Sequence, residues 1–193
     1  MITSPVHIRI NGKDYIVIQL EDGSLKILDR RGRDRIIVNN KIQFSDNSIF
    51  SYLEQFTTTD KLGNLIKIDT KGNLKTENLN LSVENSIDVV SNNLVYLNEN
   101  RLTIKGITIE LPFSRFSKPK IFIDSKTTLV GITDLTNKEI YLYRENGELL
   151  EGFPIKGSSI IDIEDSDDDG KIEIISTLDK FSIVSYEINL SQN

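Results

Sequence analysis

The chain has 193 residues, 38% of them hydrophobic and 27% charged, with a net charge of −6 and an isoelectric point near 4.9. That composition supplies a globular core, and the acidic balance argues against non-specific binding to nucleic acid or anionic membranes. The absence of cysteine excludes disulfides, zinc thiolate sites, iron–sulfur clusters and a cysteine nucleophile, while leaving the redox compartment open.

The start, "MITSPVHIRINGKDY", carries no basic stretch followed by an apolar segment. This leaves two readings, a cytoplasmic protein or one whose targeting region lies outside this sequence. No apolar run is long enough to span a bilayer, so direct membrane insertion is not expected.

From the first residues onward the apolar side chains come in runs of four to eight, rich in Ile, Val, Leu, Thr and Tyr and bounded by Gly, Asn, Asp or Ser. These are strand signals. The first unit, 5–40, reads as "VHIRI", "YIVIQL", "SLKILD" and "DRIIV". The second, 41–82, is the least regular: "KIQF", "SIFSYLEQF", "NLIKID" and "LKTENL". The third, 86–112, is "SIDVV", "NLVYL", "RLTIK" and "ITIEL". The fourth, 119–157, is "KIFID", "TLVGIT", "EIYLYR" and "ELLEGFPI". A fifth, 158–190, offers "SIIDIE", "KIEIIS" and "FSIVSYEI", one strand short. The segment "NSIFSYLEQF" is the best helical candidate and also reads as a strand.

Turn glycines Gly32, Gly72, Gly106 and Gly147 follow similar strands at intervals of 40, 34 and 41 residues. A period near 40 with four short strands is the signature of a propeller blade. The expected fold is therefore all-β, a single domain over 1–193 made of a β-propeller-like array of four to five four-stranded blades. Three arrangements fit the short last unit: a ring closed by the first few residues, an open arc cut from a longer propeller, or two arcs associating through open blade edges. The arc is the favoured expectation, because "MITS" is a poor closing strand.

The stretch "EDSDDDGKIEII", 164–175, crowds five carboxylates ahead of an apolar run. Counted from Asp165, it places Asp165, Asp167 and Asp169 at positions 1, 3 and 5, Gly170 at 6, the Lys171 carbonyl at 7 and Glu173 at 9. Alternate carboxylates with a glycine at the bend suit a hard cation with oxygen ligands, Ca²⁺ better than Mg²⁺. A solvated acidic turn is the other reading. An EF-hand is excluded, since position 12 is Ser176 and the flanks are strands.

The D-x-D-x-D-G-x-x-E spacing, together with "ENGELLEGFPIKGSSIIDIEDSDDDGKIEIIS", resembles the calcium loops and blade junctions of FG-GAP and VCBS repeat propellers over about residues 138–190. The resemblance implies that Asp165, Asp167, Asp169 and Glu173 bind Ca²⁺ through side chains and Lys171 through its carbonyl, in a structural role. It also implies a parent protein that is extracellular or in the cell envelope. The equivalent turn of the first unit, "INGKDYIV", has Tyr15 in place of the glutamate and lacks the aspartates, so no ion is expected there.

Other chemistry-bearing residues read as structural. His7, the one histidine, lies on an alternating strand, so neither a triad nor a multi-histidine metal site can form. Arg30, Arg31, Arg33 and Arg35 are interleaved with Asp29 and Asp34 in a turn. Glu145, Glu148 and Glu151 surround the tight "ENG" turn, and Tyr141, Tyr143 and Phe153 read as blade packing. Phosphate loops, nucleophile elbows and H-E-x-x-H are missing from the sequence, and so are tryptophan docking motifs. The resulting expectation is a non-catalytic scaffold or binding module for a protein or glycan. The alternative is a propeller-type glycosidase or lyase whose acids come from loops at the channel mouth or from another part of the protein.

Overall fold

The computed structural model describes residues 3–123, 127–167 and 169–188. Among them are nineteen strands in five antiparallel sheets and no helix, so the chain is all-β, as the strand pattern predicts. The chain divides into two compact units: one runs to Asn85 and includes Ser91–Asn93, and the other comprises Ser86–Val90 and the chain from Leu94 onward.

The first unit holds two four-stranded meanders. One comprises β1 (Val6–Ile10), β2 (Lys13–Gln19), β3 (Leu25–Leu28) and β4 (Asp34–Ile37). The other comprises β5 (Phe50–Tyr52), β6 (Gln55–Thr59), β7 (Asn64–Ile68) and β8 (Leu74–Asn78). Alternation along β1 and β3 sends Ile8, Ile10, Leu25 and Ile27 into a core shared with Phe56, Ile66 and Ile68. Tyr15 meets Phe56 edge-on, with ring centroids 5.0 Å apart. Each such buried side chain contributes on the order of 2 kcal/mol.

Three hairpin turns of this unit repeat one chemical device. In Asp29–Arg33, Asp60–Asn64 and Asp69–Asn73, the aspartate Oδ1 accepts the backbone N–H groups two and four residues on, at 2.8–3.0 Å. The fourth residue is a glycine in the left-handed region. Hydrogen bonds from Arg33 hold the Asp29 carboxyl down at about 2, and Asn73 depresses Asp69 in the same way.

The second unit holds three sheets. β9 (Ser86–Val90), β10 (Asn93–Asn98), β11 (Arg101–Ile104) and β12 (Ile107–Glu110) form one; β13 (Lys120–Ile123), β14 (Thr128–Asp134), β15 (Glu139–Arg144) and β16 (Ile155–Lys156) form the next. The last contains β17 (Asp162–Glu164), β18 (Ile172–Thr177) and β19 (Ile183–Ile188). Ile140, Leu142 and Leu129 of the β13–β16 sheet share a core with Ile161, Ile174 and Ile188. The chain packs so closely between these sheets that a Cβ on Gly131 would strike the Ile161 side chain, and one on Gly157 would meet both Ile140 and the Ser176 hydroxyl of β18.

Three strand expectations need correction. "SIFSYLEQF" is not one strand but the hairpin β5–β6, reversed at Leu53 and Glu54 with φ of 50° and 57°. "KIQF" forms no strand and contributes only an isolated bridge from Phe44 to Asp60. "ELLEGFPI" is reduced to the two-residue β16 and a bridge between Leu149 and Tyr143, because Gly152 turns at φ 87° and Pro154 donates no N–H.

Candidate metal centre

β17 and β18 are paired in the register Asp162↔Ile175, Ile163↔Ile174 and Glu164↔Glu173, which makes the acidic stretch the loop between them. Inside that loop, Asp165 Oδ1 accepts the Asp169 N–H at 3.1 Å and Oδ2 the Gly170 N–H at 2.9 Å. Asp167 Oδ1 takes the Asp169 N–H at 3.3 Å. Gly170 permits the bend, with φ at 84°. Glu173 is fixed from the other side: the Ser166 N–H and hydroxyl both donate to its Oε2, at 2.8 and 2.7 Å.

As a result, Asp165, Asp167 and Glu173 each place a carboxylate oxygen within 4.8 Å of the other two. Two oxygens bound to one Ca²⁺ at about 2.4 Å are at most about 4.8 Å apart, so this spacing falls inside the reach of a single ion. An all-oxygen, anionic donor set is the chemistry a hard cation requires.

The remaining predicted ligands stand differently. Asp169 turns its Oδ1 to the Lys171 N–H at 2.8 Å and lies 3.6 Å from Lys171 Nζ, so it is outside the three-carboxylate group. Lys171 reaches Glu187 at 2.7 Å, and the two acids beside it, Glu187 above all, raise the lysine's pKa. Asp168 lies outside the described residues.

Register places a further feature beside the loop. Glu164, Glu173 and Glu187 face one another across β17, β18 and β19, and like charges directly opposite are destabilising. Glu173, at 9% exposure, is the most enclosed of the row's central acids and the one that also belongs to the carboxylate group. The spacing of the loop does not reveal this row, which depends on the pairing of β19, nor the role of Ser166. A period-two alignment of "IEDSDDDGKIEI" with "SYEI" is the one signal that points to the row.

The other candidate polar side chains are held in contacts of their own. His7 Nε2 lies 3.0 Å from Asp14, which also binds Arg30. Arg33 grips Asp29 with two N–H groups, and Arg35 lies over the Tyr15 ring at 4.9 Å. Glu145 pairs with Lys105, and Glu148 accepts from Asn146 at 2.8 Å. Burial pushes up the Asp134 carboxyl, but donors from Asn137, Ser114 and Thr136 outweigh it and leave the pKa lowered. Tyr141 and Tyr143 stack with centroids 6.4 Å apart in the core around β10–β14, and burial pushes the Tyr143 hydroxyl up to about 12. Phe153 packs instead in the core of the last two sheets.

No protein-family model matches the chain, and no curated protein matches it in sequence. Solved structures of β-propeller type do match its fold. BBS1N in complex with ARL6DN has a TM-score of 0.62 at 15% identity, covering 99% of this chain and 66% of that one. Hsv2 of Kluyvelomyces marxianus has a TM-score of 0.64 at 16% identity, covering 95% and 63%. The computationally designed Ika8 protein has a TM-score of 0.58 at 12% identity, covering 90% and 55%. The chain thus spans about half to two thirds of the length of these structures. At such identities the likeness concerns the fold, and the fold is that of the β-propeller.

Proposed function

We propose that the chain is a β-propeller-type binding module for a protein partner, of the FG-GAP/VCBS kind, with one structural Ca²⁺ in the β17–β18 loop. The observation that carries this reading is the convergence of Asp165, Asp167 and Glu173 within 4.8 Å. Asp165 and Asp167 together with Glu173 would hold the ion, which supplies positive charge to a loop that otherwise sets like charges against each other. Asp169 and the Lys171 carbonyl complete the set in the resemblance and need a shift of the Asp169 side chain away from Lys171.

Partner binding is supported by the fold likeness to BBS1N, whose structure is a complex with ARL6DN. The resemblance of the loop to FG-GAP and VCBS repeats is what favours an extracellular or cell-envelope location.

Titration calorimetry with Ca²⁺ and Mg²⁺ tests the ion site. One Ca²⁺ per chain, bound at least about tenfold more tightly than Mg²⁺ and lost in Asp167→Ala, supports it. Heat from neither ion rejects it.

A further inference from the structure

One end of the second unit is laced together by hydroxyl side chains. The segment leading into β13 is pinned to the end of β14: the Ser117 N–H donates to the Thr133 carbonyl and the Leu135 N–H to the Arg115 carbonyl, each at 2.8 Å. The Ser114 hydroxyl donates to Asp134 at 2.6 Å, and the Ser117 hydroxyl oxygen accepts the Thr133 N–H at 3.0 Å. The segment leading into β17 is held in the same way. The Ser158 N–H donates to the Thr177 carbonyl at 2.7 Å, and the Ser159 hydroxyl oxygen accepts the Thr177 N–H at 3.0 Å. A bond of 2.7 Å from the Thr133 hydroxyl to the Ser159 carbonyl joins the two sheets at this end.

The pinned backbone carries exposed apolar side chains. Phe113, 97% exposed, precedes the anchored Ser114, and Ile160 is exposed beside Ser159. Phe181, 89% exposed, stands in the β18–β19 turn, closed by the bond from the Leu178 N–H to the Ser182 carbonyl. The segments 112–119, 134–139, 157–161 and 177–183 hold three carboxylates, Asp134, Glu139 and Asp179, and each is engaged. Asp134 is buried among its donors, Glu139 pairs with Lys156 at 2.9 Å, and Asp179 accepts the Phe181 N–H at 2.8 Å and is offset by Lys138. Arg115, Lys118 and Lys180 are left without an ion pair among the described residues, Lys180 lying over the Phe181 ring at 5.6 Å.

We infer that this end of the second unit is a docking surface for an acidic segment of a partner protein that carries spaced apolar residues. Its apolar residues meet Phe113, Ile160 and Phe181, and its carboxylates meet Arg115, Lys118 and Lys180. Because the loops are already held, little order has to be imposed on them at binding. The size of the ligand decides between anionic partners. A short segment feels the charges within about 8 Å, the screening length at physiological salt, whereas an anionic bilayer extends across the molecule and also meets its net charge of −6. Pairing this end with itself in a second copy would set cation against cation. The inference rests on the binding-module reading and names the partner's chemistry.

The test uses a fluorescent eight-residue peptide, Glu-Glu-Leu-Glu-Glu-Leu-Glu-Glu, with a Lys-for-Glu and a Ser-for-Leu counterpart, read by anisotropy on the full chain. The expected result is saturable binding of the first peptide, weakened by salt, and at least about tenfold weaker binding of the other two. Phe113→Ser and the double variant Arg115→Glu/Lys118→Glu alter exposed positions, and each is expected to weaken binding at least about fivefold at unchanged melting temperature. Arg31→Glu, at an exposed cation of the first unit, is expected to leave binding unchanged.

Absence of saturable binding overturns the inference, and equal binding of the Lys-for-Glu peptide overturns the charge selection. Binding that survives both surface variants, or that falls equally in Arg31→Glu, overturns the site. Co-sedimentation with phosphatidylserine vesicles that is lost in Arg115→Glu/Lys118→Glu and that the acidic peptide does not displace shows a lipid surface as the occupant. A mass that doubles with concentration in the wild type but not in that variant shows a second copy; either result overturns the inference. Calcium titration of the same samples reports on the acidic loop separately, so a failed peptide with an intact calcium response rejects this surface alone.

Discussion

Among the described residues, two kinds of turn join first and second strands. β1–β2, β5–β6 and β9–β10 reverse in two residues with positive φ: Asn11-Gly12, Leu53-Glu54 and Ser91-Asn92. The β17–β18 connection instead runs from Asp165 to Lys171 and is dense in carboxylates. A two-residue turn closes by backbone geometry alone, since its twist matches that of the strands. A seven-residue loop has to satisfy its own N–H groups and charges. Here carboxylates do the first task, and Ca²⁺ is proposed for the second. The same place in a sheet thus accommodates either a two-residue reversal or a seven-residue loop whose carboxylates accept its own N–H groups.

The largest effect is expected where a turn is both strained and crowded. A Cβ on Gly63, at φ 83°, would run into the Leu81 backbone, whereas one on Gly12, at φ 73°, meets nothing within 4 Å. Gly63→Ala should lose about 3 kcal/mol and Gly12→Ala about 1 kcal/mol in urea unfolding. Equal losses would mean that backbone approach does not distinguish the turns.

Acid acts on several turns at once. The Asp29, Asp69 and Asp134 carboxyls are all depressed in the folded state, Asp29 to about 2. Unfolded aspartate titrates near about 4, so the stabilisation is complete above that pH and disappears as pH falls toward the folded values. The melting temperature should drop steeply from about pH 4 to about pH 2, and Asp134→Asn should flatten that slope.

Glu173→Gln sharpens the contrast further because its two effects have opposite sign. It relieves the charge row with Glu164 and Glu187 while keeping an acceptor for Ser166, so without calcium the variant should gain about 0.5 kcal/mol. With calcium it should lose the ion's contribution. The smallest effect is expected at Leu53, 53% exposed in the left-handed region: Leu53→Asn should stabilise by about 0.5 kcal/mol, read from the urea midpoint.

The sheets were legible wherever turn chemistry was explicit. Asp, Asn and Gly mark Asp29–Arg33, Asp69–Asn73 and Asn11-Gly12, and alternation marks the strands between them. Leu53-Glu54 carries no such marker, since neither side chain favours positive φ, and the hairpin it closes reads as one strand. β16 is obscured for the opposite reason: an apolar run persists through Leu149–Ile155, but Gly152 and Pro154 leave two residues to pair. At the acidic loop, spacing identified Asp165, Asp167 and Glu173, but not that Asp169 turns toward Lys171, a contact set by the lysine's own backbone and side chain.

The most direct measurement is thermal unfolding of the wild type and of Asp167→Ala, each with excess Ca²⁺ and with EGTA. Calcium at about 100 times its dissociation constant should stabilise the wild type by about 2.7 kcal/mol and leave Asp167→Ala unchanged if the loop holds the ion. Identical unfolding of the wild type in both conditions would contradict it and leave the β17–β18 loop as a solvated acidic turn.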